Sequence, residues 1–319
     1  MKNLAEIITE DMRTVAVAGH VNPDGDCVGS CTAVWQYLRK LRHFDRVDLY
    51  LEEPRESLLF LKGMNSFLQT VRDPIAYDLF ICLDVSDYRR IGVAAELFDR
   101  ARVRVAIDHH VSNSGFADIN HVVSDASSCA EVLCSLMDFD LIDEPIAESL
   151  YTGIIHDSGV FQYQNTTPDT MRAAARLMEK GIPFYSIIDD SFNRVTFLQN
   201  RILGYCLGKA KSELGGKCIT SALSLQEQRE QGVVKADLDG IVAQLRLTKG
   251  TEAAIFAYET EPGLYKLSLR SNGLLDVQEI CSIFGGGGHL RAAGCLIRAD
   301  AEEAVGMVLG EIRKRLSCI

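Results

Sequence analysis

Four short stretches of this 319-residue chain place Asp and His where they could do chemistry. The first is His20-Val21-Asn22-Pro23-Asp24-Gly25-Asp26, an imidazole and two carboxylates directly after the apolar run 14–19. A tight turn of this kind can aim several ligand atoms at one spot, and carboxylate mixed with imidazole suits a divalent metal. Alone, Asp24-Gly25-Asp26 also reads as a surface turn. The second is Asp84, which closes the apolar run 79–83 and by itself reads as a turn cap. The third is Asp108-His109-His110, closing the run 103–107. Consecutive strand side chains face opposite sides, so the two histidines cannot both be idle core residues. The fourth is Asp157, a carboxylate at the end of an apolar helical stretch, which needs a partner or water; alone it reads as a helix-end Asp at the surface. What carries weight is the set. Four element ends each supply Asp or His, and a carboxylate shared between two cations is an arrangement for phosphoryl displacement.

The elements that must position these residues are legible as a rhythm. Runs 14–19, 47–51, 79–83 and 103–107 read as buried strands, and 29–41, 129–137 and 146–155 as helices between and after them. This alternation predicts a parallel α/β sheet, and loops at the carboxyl ends of its strands are where ligands bind. Thr167-Pro168 signals a helix start, with Gly181 and Pro183 stopping that helix near Lys180. The pattern turns polar at 189–194, which is the expected link between two domains. The expected layout is a catalytic domain at 1–188, a linker at 189–196 and a second domain at 197–319. In that second domain 197–211 reads as a helix, 218–223 as a strand, and 253–258 with 264–270 as a hairpin around Glu261-Pro262-Gly263. Residues 277–284 and 301–316 read as helices and 292–297 as a strand, with Gly-Gly-Gly-Gly at 285–288 between helix and strand.

Composition bounds the reading. At 47% hydrophobic and 24% charged the chain is ordinarily globular, and its length favours two domains. A net charge of -11 argues against a surface that coats long nucleic acid, but not against a small anionic substrate held by metals and a few cations. The ten cysteines show no metal-module spacing and suit buried free thiols in a reducing cytosol. The start of the chain lacks a signal-peptide core, and no apolar run approaches the ~18–20 residues of a membrane span. The expectation is a soluble cytoplasmic protein with no membrane partner; a homodimer is left open.

Taken together, these motifs resemble the DHH phosphoesterase family, whose Asp-His-His signature stands at 108–110. The likeness covers nearly the whole chain: 20–26, Asp84, 108–110 and Asp157 in the first half, and Leu-Ser-Leu-Arg-Ser at 267–271 and 285–294 in the second. The layout is most similar to the nanoRNase and pAp-phosphatase (NrnA-like) branch. The resemblance implies an α/β fold: a parallel-sheet DHH catalytic domain, a smaller α/β DHH-associated domain, and an active site in the cleft between them. It further implies two divalent ions, with manganese the expected metal. His20 and Asp24 would hold one ion, Asp26, His109 and Asp157 the other, and Asp84 would bridge. His110 would contact the scissile phosphate and Asp108 would orient the adjacent histidine. The family often has Thr at the position of His156 and Arg at that of Gln162, but neither departure removes a ligand.

The second-domain motif has its own physics. A glycine run lets backbone approach a ligand and presents N–H groups to an anion. The expected substrate-binding residues are Gly286, Gly287, Gly288, His289 and Arg291, with Arg270 pairing a terminal phosphate. A linker and a surface salt bridge are the plain alternatives. The expected substrates are short oligoribonucleotides, linear dinucleotides and 3'-phosphoadenosine 5'-phosphate, and not long nucleic acid. A cyclic-dinucleotide phosphodiesterase and a catalytically silent nucleotide-binding module are the alternatives.

Overall fold

The computed structural model describes residues 1–41, 43–71 and 75–317, with backbone alone at 289. The chain divides into two compact units, Met1–Arg194 and Val195–Ile319.

In the first unit five strands form one parallel sheet: β1 (Thr14–Ala18), β2 (Arg46–Tyr50), β3 (Leu79–Leu83), β4 (Val103–Asp108) and β5 (Ile119–Val122), in the order β2-β1-β3-β4-β5. The chain crosses from β1 through helix α1 (Gly25–Lys40) to β2 on one side, while β3 joins β1 on the other. The carboxyl ends of β1 and β3 therefore diverge at a topological switch point, where open α/β sheets make their crevice. Strand alternation sends Val15, Val17, Ile81 and Val105 toward α1, α3 (Cys129–Leu136) and α4 (Glu144–Asp157). It sends Ala16, Ala18, Phe80 and Ala106 to the opposite face, against Leu97 and Phe98 of the short helix α2 (Ala95–Arg100). With both faces covered, β3 is buried at every position, as its unbroken apolar run requires. Helices α5 (Pro168–Met178) and α6 (Phe184–Ile188) complete the unit, α5 starting on a Thr167 cap with Pro168 at its first position.

Three features differ from the sequence reading or have no counterpart in it. Helix α1 begins at Gly25, four residues before the apolar spacing signals it, because the side chain of Asp24 caps it. Strand β5 is an exposed or half-buried edge, Ile-Asn-His-Val, without the apolar signature of its neighbours. The segment expected as a polar link, 189–196, is not extended chain throughout. Asp189–Asn193 form a π-helical turn that continues α6, and Ser191 within it is buried.

The second unit is a mixed sheet in the order β10-β11-β9-β8-β7-β6. After α7 (Phe197–Gly208) come β6 (Lys211–Glu213), β7 (Cys218–Leu223), α8 (Leu225–Gln231), α9 (Ile241–Arg246), β8 (Ala253–Glu261) and β9 (Leu264–Ser271). They are followed by α10 (Val277–Ile283), β10 (Gly287–His289), β11 (Ala292–Arg298) and α11 (Ala301–Leu316). Only the β7–β8 pair is parallel. One face packs α10 and α11 and the other α7 and α9. Helix α8 was not expected: its Leu-Gln-Glu-Gln-Arg-Glu-Gln sequence buries nothing and is announced only by the Ser224 capping box. Among the described residues no helix is long and apolar enough to cross a membrane.

Candidate metal centre

The six side chains expected as ligands converge at the carboxyl ends of β1, β3 and β4, joined by the start of α1 and the end of α4. Leaving β1, the chain turns at Asn22 (φ 53°) into α1. Asp24 Oδ1 accepts from the amides of Asp26 and Cys27 at 3.1 Å each, which satisfies two free N–H groups of the helix end. Asp26 is fully buried. Its Oδ2 accepts from the Cys129 amide (2.6 Å), and its Oδ1 from the Ala130 amide (3.0 Å) and Ser30 Oγ (3.2 Å), so it fastens the start of α1 to the start of α3. Asp84 follows β3 with φ 58°, a left-handed conformation in which Asp is one of the few tolerated side chains.

The imidazoles of His20, buried, and His109, partly buried, are oriented alike. His20 Nδ1 lies 2.8 Å from the Val21 carbonyl and His109 Nδ1 3.3 Å from the Ala126 carbonyl. A carbonyl only accepts, so each Nδ1 carries the proton and each Nε2 is turned to the cluster. His20 Nε2 sits 3.3 Å from Asp84 Oδ2 and 3.7 Å from Asp24 Oδ1. His109 Nε2 sits 3.1 Å from Asp157 Oδ2, 3.5 Å from Asp84 Oδ1 and 3.9 Å from Asp26 Oδ2. Asp84 therefore faces one imidazole with each oxygen.

These residues fit divalent metal. Asp84 Oδ1 and His109 Nε2 are buried without a hydrogen-bond partner, and an unsatisfied buried group costs about 1–3 kcal/mol. Ligand atoms of His20, Cys27 and Asp84, and separately of Asp26, His109 and Asp157, lie within 4.8 Å of one another in each set. Donors about 2.0–2.3 Å from one ion are spaced on that scale. Charge tells the same story. Burial, then the charges of Asp84 and Asp157, push the Asp26 carboxyl well above its usual range, and burial first of all raises Asp157. Burial alone would lower His109, but Asp157 and Asp84 prevail and it is pushed up to about 12. His20 is likewise raised, against its burial, by Asp24 and Asp84. The surplus negative charge draws protons onto the imidazoles, and cations would relieve the same imbalance.

His110 is held differently. Its Nδ1 donates to Asp108 Oδ1 (2.8 Å), which leaves Nε2 as the available end. Asp108 is fully buried, and its Oδ2 accepts from Asn113 Nδ2 (2.8 Å). Burial raises the Asp108 carboxyl, but the bonds from His110 and Asn113 outweigh it and hold the group below the usual range. Asn113 is invisible as a site residue in the sequence; its only signal is a side chain able to donate and accept in a turn.

His156 does not enter the cluster. Its ring lies on Gly25, where a Cβ would come within 2.1 Å of His156 Cγ, and stands edge-on to Phe192 at 5.5 Å. Ser191 gives its hydroxyl proton to the Ile187 carbonyl, so His156 Nε2 donates to Ser191 Oγ at 3.2 Å. Burial presses this imidazole down to about 4. Beyond Asp157, Gly159, Val160 and Phe161 all have positive φ (58°, 53° and 64°), rare for a β-branched residue. This left-handed turn brings back Asn165, whose Nδ2 donates to the carbonyls of Ser127 (2.9 Å) and Asp157 (3.1 Å). Gln162 is exposed.

In the second unit Arg270, Ala292 and His289 are register partners across β9, β11 and β10; the His289 side chain lies outside the described residues. Arg270 Nη1 donates to the Leu269 carbonyl (2.9 Å) and Arg291 Nη1 to the Leu275 carbonyl (3.0 Å). The glycine run has backbone partners of its own. The amides of Gly285 and Gly286 already donate to Ser282 and Cys281 carbonyls, and Gly287–His289 form an edge strand rather than an open nest. Glycine is required there by close backbone approach. A Cβ at Gly286 would lie 2.3 Å from the Gly294 carbonyl oxygen, and one at Gly288 2.5 Å from that of Ala292.

A profile described as "DHH family, N-terminal domain" matches residues 14–154, and one described as "DHHA1 domain" matches 215–316. The chain is 29% identical to the bifunctional oligoribonuclease and PAP phosphatase NrnA of Thermus thermophilus, over 99% of this chain and 94% of that protein. It is 30% identical to the uncharacterized protein MG371 of Mycoplasma genitalium, over 87% of this chain and 85% of the other. A crystal structure of an exopolyphosphatase-related protein from Bacteroides fragilis superposes with a TM-score of 0.88 at 26% identity, covering 96% of this chain and 93% of that one.

Proposed function

This chain belongs to the DHH family, and on that premise we propose that it is a two-metal phosphoesterase of short oligoribonucleotides, linear dinucleotides and 3'-phosphoadenosine 5'-phosphate. The observation that carries the reading is Asp84, buried at a switch point with one carboxylate oxygen toward each of two imidazole Nε2 atoms. His20 and Asp24 would hold one ion, Asp26, His109 and Asp157 the other, and Asp84 both; manganese is the proposed metal, since the shells mix carboxylate with imidazole. Such ions, when bound, polarise a phosphoryl group and activate water.

The protein's own groups do the rest. His110, fixed by Asp108, presents Nε2 to a non-bridging phosphoryl oxygen and stabilises charge as it develops there. In the second unit Arg270, Arg291 and the segment 286–289 are proposed to hold the far phosphate or base of the substrate, a clamp that favours short chains. A relative bearing the name oligoribonuclease and PAP phosphatase along nearly its whole length supports this substrate class. Buried free cysteines among the described residues suit a reducing compartment, and we place the protein in the cytoplasm.

The test is hydrolysis with manganese of 3'-phosphoadenosine 5'-phosphate, di- to pentaribonucleotides and cyclic dinucleotides, side by side. Turnover of the first two classes is expected. Hydrolysis of cyclic dinucleotides alone would replace this substrate class, and nucleotide binding without any turnover would leave a silent binding module.

A further inference from the structure

Four cysteines, Cys27, Cys31, Cys82 and Cys129, are fully buried around the ligand cluster and have no part in the hydrolysis described above. One of them is placed differently from a packing thiol. The Sγ of Cys27, a His20 ring nitrogen and an Asp84 carboxylate oxygen all lie within 4.8 Å of one another. The His20 amide donates to that sulfur at 3.2 Å, and Cys27 is the third residue of α1, where the helix N-terminus favours negative charge. Gly19 leaves the room this sulfur occupies: a Cβ there would come within 2.2 Å of Cys27 Sγ. Asp84, 2% exposed, turns its Oδ2 to the same His20 Nε2 at 3.3 Å.

We infer that Cys27 is a sulfur donor to the ion held by His20, Asp24 and Asp84. The two metal positions are then chemically unlike, one with nitrogen, oxygen and sulfur donors and the other with nitrogen and oxygen only. When the ion binds, the S–H bond breaks, sulfur keeps the electron pair for the metal, and the proton leaves to solvent. A thiolate selects the softer divalent ions, so the first position takes zinc, cobalt or ferrous iron in preference to manganese, while the second remains a manganese site. This rests on the two-metal reading and changes the metal proposed for its first position.

The test is titration of the chelator-treated full-length protein with cobalt(II), reading bound equivalents, visible ligand-field bands and the intense near-ultraviolet sulfur-to-cobalt charge-transfer band. The wild type and Cys31→Ala should bind two equivalents and show the charge-transfer band. Cys27→Ser and Cys27→Ala should lose it and shift in cobalt–manganese competition toward manganese. X-ray absorption of the cobalt-loaded wild type, which needs no variant, should find a sulfur scatterer at about 2.3 Å. Two equivalents bound with neither band nor scatterer overturns the Cys27 assignment and leaves the two-metal reading standing. A band that persists in Cys27→Ser overturns it in favour of another cysteine. Failure to bind two equivalents removes the two-metal reading itself.

Discussion

Asp108→Asn isolates the positioning of His110 from the metals. The substitution is isosteric but removes the charge from a fully buried bond of 2.8 Å to His110 Nδ1. Asparagine can still offer its carbonyl to His110, but its amide group then faces Asn113 Nδ2, another donor. Asn113 is not free to turn: its Oδ1 accepts from the Gly115 amide (2.9 Å) and its Nδ2 also donates to the Val85 carbonyl (3.1 Å). With the asparagine rotated the other way, the clash moves to His110. A hydrogen bond to a charged group contributes about 1.5–3 kcal/mol. Lost from the transition state, that is on the order of a 10- to 150-fold drop in kcat/KM. The assay is manganese-supported dinucleotide hydrolysis with metal content measured on the same sample, and two ions should remain bound. Because Asp108 acts through the imidazole, adding Asp108→Asn to His110→Ala should cost less than about threefold more. Burial raises the carboxyl, but His110 and Asn113 hold it under its usual range, so the charge that the substitution removes is present throughout a neutral assay. Wild-type-like rates in Asp108→Asn, a full additional loss on the His110→Ala background, or loss of a bound ion would each refute the orienting role.

Asp84→Ala should leave the far-ultraviolet circular dichroism unchanged, reduce bound metal below two per chain and abolish hydrolysis; two retained ions would contradict a bridging carboxylate. Gly25→Ala should destabilise by about 1–3 kcal/mol in urea, because the new methyl meets the His156 ring. In a His156→Ala background most of that cost should vanish, and equal cost in both would refute the packing account. Arg270→Ala should raise KM for dinucleotides about tenfold or more, the worth of one charged contact, while leaving an aryl phosphodiester nearly unaffected. Without an extended basic channel, wild-type rates should fall beyond about five nucleotides, and equal rates on a dinucleotide and a long strand would oppose the clamp.

The strands that carry the centre were readable because a parallel strand covered on both faces is a largely apolar run, and the runs of β1, β3 and β4 end at Gly19-His20, Asp84 and Asp108. His20, Asp84 and Asp108-His109-His110 stand out against that background. Less of the support was readable. Asn113 reaches Asp108 through a turn, and nothing local says where its amide points. Val160 holds a positive φ against its own propensity, imposed by tertiary packing. At the glycine run, composition could not reveal a second constraint on the same residues, the tight pairing of β10 with β11. The polar stretch after α6 read as linker because its buried member, Ser191, is small and polar and bonds to His156 35 residues earlier.

Asp26 has a consequence for the order in which the protein assembles. Its carboxylate joins the start of α1 to amides 103 and 104 residues further along the chain. Closing a loop of that length costs roughly 4 kcal/mol of chain entropy, and no local interaction within either helix offsets it in advance. Helices and strand pairs can therefore form while the centre is still open. In a refolding experiment the backbone circular dichroism should return before catalytic competence, and the lag between the two would time the closing of that single carboxylate onto α3.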